Sequence, residues 1–134
     1  MNSKLQKKAV GNAEHPLSEI IVKSILEKKG KEVILLDLEG LSDAVCDRFI
    51  ICEGGSTTQV KAIADFIAFN TKKELGEMPL HSEGFGNQEW ILIDYFDVVV
   101  HIFLKEKREF YKLEELWSDA KFVRYEEDGS QSEF

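Results

Sequence analysis

The sequence predicts a single α/β domain, built on a mixed sheet of about five strands flanked by helices. Apolar residues recur at helical spacing in two segments, at residues 17–25 and 60–67. Short runs rich in Val, Ile and Leu, which favour strands, lie between and after those segments, at residues 32–38, 48–53, 90–93 and 98–104. A length of 134 residues without an internal linker is enough for one hydrophobic core. This mixed order of helices and strands favours one α/β domain.

The N-terminal part is predicted to hold a flexible tail, one helix and one strand. Residues 1–16 lack periodicity, and Pro16 suits the first position of a helix. The apolar stripe over residues 17–25 gives that helix its buried face, and Gly30 is a natural end. The run at residues 32–38 then forms a strand.

The middle of the chain is predicted to be a buried strand followed by a long helix. Residues 48–53 include three consecutive large apolar side chains, as expected for a strand buried on both faces. Gly54 and Gly55 end this strand, and Ser56 begins the helix. Ser56 and Gln59 have the spacing of a capping box, which satisfies backbone donors at the start of a helix.

Two phenylalanines of this long helix do not fit its core stripe. The stripe is formed by residues 60–67 and the helix ends at Gly76, whereas Phe66 and Phe69 fall on another side. They form either a second packed face or an exposed contact patch. Packing in the core is the preferred interpretation.

The second half is predicted to contain further strands and short helical turns. In chain order these are a short strand at 78–81, a loop at 83–88, a hairpin of 90–93 and 98–104 around a turn at 94–97, and helical turns at 107–111 and 113–117. Residues 121–134 are predicted to be an acidic tail, because their apolar content is too low for folding. The folded domain is therefore expected to span residues 17–120.

The charge of the chain limits the partners it can bind. A formal net charge of −8 and an isoelectric point near 4.9 argue against direct binding to nucleic acid, which depends on Lys and Arg displacing counterions. An acidic surface suits a basic protein partner, and ribosomal proteins are abundant basic proteins. The alternative is that the acidity only keeps the protein soluble.

Other classes of site find little support in the sequence. No apolar run approaches the ~18 residues that a membrane span needs, and residues 1–16 lack the apolar core of a secretory signal, so a cytoplasmic location is expected. Cys46 and Cys52 should then remain thiols. His15, His81 and His101 share no ligand spacing with each other or with a cysteine, so neither a metal nor another cofactor is predicted.

The candidate functional residues are polar or large aromatic groups at or beside element ends, where a core would be satisfied by Val or Leu. They are Glu83, Trp90, Asp94, Asp97, His101, Arg108, Tyr111 and Trp117. Aromatic and Arg residues set among carboxylates are typical of protein interfaces, so these residues are predicted to bind a partner. Each type has a simpler alternative: core packing for the tryptophans, a hydrogen-bonded buried imidazole for the histidine, and solvated turns for the carboxylates.

An enzymatic alternative depends on the Gly54-Gly55-Ser56 turn. A glycine-rich turn between strand and helix can present backbone N–H groups to a phosphate, as in nucleotidyltransferases. Such enzymes also need two carboxylates on one face of a strand to hold a metal pair. Asp94 and Asp97 are three residues apart and would face opposite ways on an extended strand. The sequence therefore favours binding over catalysis.

Several motifs in order resemble one family. They read EG before Trp90, then LIDYFDVVVHIF, then REFYKLEELW, and upstream LDLEGLSDAVCDRFIICEGGSTTQVKAIAD. Together they make residues 17–120 similar to the ribosomal silencing factors, the RsfS or Iojap family. The chain departs from the usual pattern at Arg48, at residues 57–59 and at Phe96, where the family more often has Tyr, a Ser- and Arg-containing stretch and Gly.

The resemblance implies a protein that is not an enzyme and uses no cofactor. It implies binding to the large ribosomal subunit through large-subunit protein fourteen, steric block of small-subunit association, repression of translation and possible action in large-subunit biogenesis. It also implies a nucleotidyltransferase-like topology, and it favours a contact role for Glu83, Asp94 and Asp97 over that of solvated turn residues. A nucleotidyltransferase-like enzyme or nucleotide-binding protein is the alternative, and a homodimer of the free protein stays open.

Overall fold

The computed structural model describes residues 15–133, and it contains a seven-stranded mixed sheet with helices on both faces. The helices are α1 (Pro16–Glu27), α2 (Thr57–Leu75), α3 (Lys105–Tyr111) and a 3-10 helix (Leu113–Trp117). The strands are β1 (Lys31–Asp37), β2 (Arg48–Gly54), β3 (His81–Glu83), β4 (Trp90–Asp94), β5 (Val98–Leu104), β6 (Lys121–Tyr125) and β7 (Gln131–Glu133). The predicted α/β domain is confirmed, with two strands more than expected.

The strands follow the order β3-β4-β5-β2-β1-β6-β7 across the sheet. The central pair, β2 and β5, is parallel, and every other neighbouring pair is antiparallel. The predicted hairpin of β4 and β5 is confirmed, and the short strand expected at 78–81 lies at His81–Glu83, where it pairs with β4. The nucleotidyltransferase-like topology stays a prediction.

The C-terminal segment corrects the predicted domain boundary. Residues 121–125 form β6 against β1, and Val123 and Tyr125 point into the core with 8% of each residue exposed. β7 pairs with β6 by backbone hydrogen bonds, so the expected acidic tail is wrong over 121–133. The backbone of β6 pairs with the edge of β1, which an end at residue 120 would leave unpaired.

The N-terminal helix begins as predicted, one residue inside the expected tail. His15 is the N-cap of α1, and its Nδ1 accepts a hydrogen bond from the Ser18 N–H at 3.2 Å. Pro16 occupies the first helical turn. The remainder of the predicted tail, residues 1–14, lies outside the described residues.

One face of the sheet is covered by α1 and α2. Their apolar stripes pack on the inward residues of the central strands, where Ile50, Val100 and Ile102 are fully buried. The main stripe of α2 is confirmed, and the helix ends at Gly76 in the left-handed conformation with φ 68°. Phe69 is 60% exposed, so the preferred core position is wrong for this residue.

The other face is covered by smaller elements. α3, the 3-10 helix and the 38–47 connection pack against a second apolar cluster that includes Leu36, Phe49 and Phe103. Several side chains of these covering elements remain exposed, so this face of the domain carries the candidate site. Residues 15–133 contain no helix long and apolar enough to cross a membrane.

Candidate functional site

Three of the predicted residues meet on the thinly covered face of the sheet. Trp90 on β4 lies opposite Phe103 on β5, which places its indole beside the imidazole of His101. The Trp90 Nε1–H donates to His101 Nδ1 at 3.1 Å. The Trp90 ring also packs against Phe103 and Tyr111, each with ring centroids 4.7 Å apart. Edge and offset contacts of this kind add stability beyond area burial, so the cluster fixes α3 to the sheet.

Trp117 joins the same cluster through Phe49. Its ring meets Phe49 edge-on at 6.0 Å, and Phe49 meets His101 edge-on at 4.7 Å. Trp90 and Trp117 are half-buried, His101 is buried with 4% exposed, and Tyr111 is 47% exposed. Four predicted residues are therefore brought together, with Tyr111 the most accessible of them.

The His101 imidazole is neutral at physiological pH. Burial lowers its pKa to about 4. Because Nδ1 accepts the indole hydrogen bond, the ring proton of the neutral form sits on Nε2. Nε2 is buried and has no hydrogen-bond partner among the described residues. His101 thus supports the aromatic cluster, and it has no second polar group with which to exchange a proton.

Arg108 belongs to α3, and its side chain is buried on the side of that helix that faces the sheet. Only 7% of the residue is exposed. Its Nη1 donates to the Glu32 carbonyl at 2.6 Å and to the Glu53 carboxylate at 3.4 Å, and its Nε donates to Glu114 at 3.3 Å. Burial raises the pKa of Glu53, and the nearby Arg108 offsets part of that rise. Arg108 therefore links α3 and the 3-10 helix to the sheet.

The predicted carboxylates divide between two places. Asp94 and Asp97 flank the turn between β4 and β5, where the Asp94 Oδ1 accepts from the Phe96 N–H at 2.7 Å. The Asp97 carboxylate lies 3.8 Å from His15 Nε2, and its side chain is 44% exposed. Glu83 instead lies on the edge strand β3, opposite Leu92, and pairs with His81. Of the three predicted acids, Asp94 and Asp97 therefore lie at the same turn, and Glu83 lies elsewhere on the sheet edge.

Phe96 is a surface residue whose backbone conformation has a structural cost. It lies in the two-residue loop between Tyr95 and Val98, and its φ is +83°. The Asp97 N–H donates to the Tyr95 carbonyl at 3.1 Å, so Phe96 is the central residue of a γ-turn with positive φ, a rare and strained conformation that Gly tolerates best. Its ring is 75% exposed. The backbone is therefore strained at a residue that contributes nothing to the core.

An acid-lined groove lies beside Phe96, and we call it the acidic groove. It lies between the 38–47 connection and the hairpin turn, has a volume of about 230 Å³, and is lined by Leu38, Glu39, Gly40, Leu41, Ala44, Val45, Cys46, Asp47, Phe96 and Asp97. Val45 at its edge is 83% exposed. Of these residues, sequence reasoning proposed only Asp97 as a contact, although Glu39, Asp47 and the unusual Phe96 were visible signals.

The acidic groove continues toward the 3-10 helix. A second depression is lined by residues 41–43 on one side and 116–119 on the other. Phe110 and Tyr111 at the end of α3 are also exposed, and their rings meet edge-on at 5.1 Å; we call these two residues the aromatic ledge. Exposed apolar groups bordered by acids are typical of protein contact surfaces.

In the Gly54-Gly55-Ser56 turn, on which the enzymatic alternative depends, backbone N–H groups are used to cap α2. The Ser56 Oγ accepts from the Gln59 N–H at 3.1 Å, as predicted. The Gln59 Oε1 accepts from the Gly55 N–H at 2.8 Å, one residue earlier than an ideal capping box. The Gln59 amide also donates to the carbonyls of Lys28 and Lys29 at the end of α1. The Gly55 N–H that a phosphate would need is therefore already used.

Metal and thiol chemistry have little support in the described part of the chain. Residues 15–133 contain no group of three or more His, Cys, Asp or Glu side chains placed to hold a metal ion. Burial raises the pKa of Cys46 to about 11 and that of Cys52 to about 12, so both thiols are protonated at neutral pH. The arrangement is suited to binding a partner.

Comparison with known proteins decides the family. The family model described as ribosomal silencing factor during starvation matches residues 12–133. The chain belongs to this family. It is 45% identical over 94 residues to the ribosomal silencing factor RsfS of Bacillus subtilis, covering 70% of this chain and 78% of that protein. It is 40% identical over 110 residues to RsfS of Halalkalibacterium halodurans, covering 82% and 92%.

The family resemblance drawn from the sequence is thereby confirmed, and solved structures agree with it. A crystal structure from Chromobacterium violaceum matches with a TM-score of 0.72 and 36% identity, covering 81% of this chain and 88% of that one. The chloroplastic protein Iojap of Zea mays is 37% identical over 75 residues, which is 54% of this chain and 31% of that protein. Ribosomal silencing is therefore the function of the family to which this chain belongs.

Proposed function

We propose that this RsfS-family chain binds the large ribosomal subunit through large-subunit protein fourteen, blocks association of the small subunit by steric exclusion and so represses translation. The family match over residues 12–133 is the observation that carries this proposal. No chemical step is needed, because a protein bound at an intersubunit contact can prevent joining by its volume alone. An action in biogenesis of the large subunit is a further part of the proposal.

The proposed contact surface runs from the acidic groove to the aromatic ledge. The exposed carboxylate of Glu39 and the half-buried carboxylates of Asp47 and Asp97 border the exposed side chains of Val45 and Phe96, so a basic protein could place cationic groups and an apolar side chain there together. The chain as a whole carries −8, which favours encounter with a basic partner. A standard interface buries roughly 800 Å² on each partner, so groove and ledge would both take part.

The eight predicted residues have different proposed roles. Asp94, Asp97 and Tyr111 would touch the partner directly, and Glu83 would extend the contact along the edge strand. Trp90, His101 and Trp117 would hold the ledge in position through the aromatic cluster. Arg108 would do the same from below, through its bonds to Glu53 and Glu114.

The proposed setting follows from the family. The protein would act in the cytoplasm, without a cofactor, and the free protein could form a homodimer that partner binding replaces. The nucleotide-binding alternative gains no support from the Gly54–Ser56 turn, since Gln59 occupies the Gly55 N–H.

Sedimentation of ribosomal subunits tests the proposal. Purified large subunits are incubated with a several-fold excess of the protein, small subunits are added, and the mixture is resolved on a sucrose gradient. We expect the protein to co-sediment with large subunits and the yield of joined ribosomes to fall. An unrelated acidic protein of similar size controls for bulk charge. If the protein remains at the top of the gradient and joining is unchanged, the proposed function is wrong.

A further inference from the structure

A second apolar stripe runs along α2 on the side away from the sheet. Ala62, Phe66 and Phe69 have the i, i+4, i+7 spacing of one helix face. At about 100° per residue, Phe69 lies about 180° around the helix from the fully buried Val60. Phe69 is 60% exposed and Phe66 is half-buried, so this stripe borders solvent while the main stripe fills the core.

Two exposed lysines lie over the rings of this stripe. The Lys28 Nζ lies 4.7 Å from the centre of the Phe66 ring, and the Lys73 Nζ lies 6.0 Å from that of Phe69. The two rings stack with centroids 6.4 Å apart and an interplanar angle of 19°. Cation–π attraction holds each ammonium group near its ring. We call these four residues the Phe–Lys patch.

The Phe–Lys patch is separate from the proposed ribosome contact. It lies on the outer side of the helix layer, whereas the acidic groove and aromatic ledge lie on the opposite face of the sheet. An exposed aromatic ring adds nothing to the core, and aromatic residues favour helices less than Leu or Ala. The fold alone therefore gives no reason for the exposed Phe69 ring stacked on Phe66.

We propose that the Phe–Lys patch docks a second protein partner, namely an acidic amphipathic segment. Its apolar side chains would cover the Phe66 and Phe69 rings, and its carboxylates would meet Lys28 and Lys73. Such a segment could lie along α2 as one helix lies against another. The patch and the acidic groove have opposite charge, so the protein would hold two partners of opposite character at once.

Charge decides between this occupant and two others. A second copy of the chain would bring two identical patches together and place four ammonium groups at one contact, which opposes pairing. A nucleic-acid backbone needs several Lys or Arg contacts to offset its counterions, and the patch supplies only the two lysines. An acidic protein segment satisfies both the rings and the lysines.

A designed peptide tests this proposal without a ribosome. The probe is a fluorescent helical peptide of about four turns, with Leu and Phe at i, i+4 and i+7 and Glu at the flanking positions. A second peptide carries Lys in place of each Glu. We expect the Glu peptide to bind about tenfold more tightly than the Lys peptide by fluorescence anisotropy, and amide shifts in NMR spectra to map to α2.

Matched variants locate the binding on the patch. Phe69→Ala and Lys73→Glu should each weaken the Glu peptide about fivefold or more, since they remove a ring and reverse a charge at the contact. Phe110→Ala and Lys72→Glu are the controls, because Phe110 lies on the aromatic ledge and Lys72 is not over a ring in α2. We expect the controls to bind within about twofold of the original chain.

Several results would overturn the proposal. These are equal binding of the two peptides, equal loss in the controls, shifts that map to the acidic groove, self-association that depends on Phe69, or binding of RNA in place of the acidic peptide. Thermal melts of all four variants check folding, and Ala at an exposed helix position should be tolerated. The peptide assay is independent of subunit binding, so the two proposals can fail separately.

Discussion

The two faces of the sheet are held to their covering helices by different types of side-chain contact. Under α1 and α2 the contacts are mainly aliphatic, with Ile21, Ile63 and Ile67 fully buried. Under α3 and the 3-10 helix the contacts are aromatic and polar, and depend on named pairs such as Trp90 with His101. On the first face, the apolar area stays buried even if the exact pairs of side chains in contact change. The second holds its small elements through individual bonds, which suits a surface that must present side chains in fixed positions.

The largest difference in unfolding free energy is expected between a side chain truncated to Ala on α2 and one truncated on the 3-10 helix. Ile63→Ala removes a fully buried side chain of α2 and should cost about 4 kcal/mol of unfolding free energy, from lost burial and a new cavity. Leu116→Ala on the 3-10 helix, where 73% of the residue is exposed, should cost less than about 0.5 kcal/mol. Urea unfolding measures both. Similar losses would show that the two faces contribute alike.

Arg108 tests the polar links of the second face. Arg108→Met should cost about 3 kcal/mol, because it leaves the Glu53 carboxylate buried without its ion-pair partner. The double variant Arg108→Met with Glu53→Met should recover part of that loss, since no charge is then left unpaired. Urea unfolding of both variants measures the coupling. Additive losses would mean that the two side chains act independently.

His101 makes this face sensitive to acid. Its folded pKa of about 4 lies below the unfolded value of ~6.5, so the unfolded state binds the extra proton first as pH falls. Stability from the neutral ring is complete above about pH 6.5 and is lost toward pH 4, by at most about 1.4 kcal/mol per pH unit. His101→Phe should remove this part of the pH dependence.

Comparing the original chain with the His101→Phe variant isolates the pH dependence that His101 contributes. His15, whose pKa is also lowered by burial, is present in both and cancels in the difference. The stability advantage of the original chain over His101→Phe should therefore shrink steadily between pH 6.5 and pH 4, as measured by urea unfolding at several pH values. A difference that is flat with pH would exclude His101 as the acid-sensitive group.

Two substitutions of Phe96 should affect stability differently while both weaken binding to the large subunit. Phe96→Gly should raise unfolding free energy by about 1 kcal/mol, because Gly adopts the positive φ without strain. Phe96→Ala keeps the strain and removes the ring. We expect both variants to bind large subunits more weakly, while only the Gly variant gains stability in thermal melts. Unchanged binding in both would remove Phe96 from the contact surface.

Much of the first face could be predicted from the sequence. The apolar spacing of α1 and α2 and the end at Gly76 are local signals, and the structure confirms them. The position of Phe69 failed because spacing shows which residues share a side, but not whether that side is covered. The tail prediction failed because β7 is held by backbone pairing, which side-chain composition does not report.

The second face could be predicted less well. Trp90, His101 and Trp117 were identified as unusual residues, but their mutual contacts depend on strand register and on where the 3-10 helix packs. The burial of Arg108 depends on Glu53 and Glu32, which lie 55 and 76 residues away in sequence. Such pairings are long-range, and neither periodicity nor charge pattern contains them.

Affinity for isolated large subunits, measured with Asp97→Lys, tests the central claim most directly. Glu74→Lys on α2 is the matched control, since it makes the same reversal of charge on the other face. The acidic-groove contact predicts that Asp97→Lys loses about tenfold or more in affinity at low salt, while Glu74→Lys stays within about twofold. Thermal melts should show both variants folded. Equal affinities for the two variants would contradict the assignment of the acidic groove as the ribosome contact.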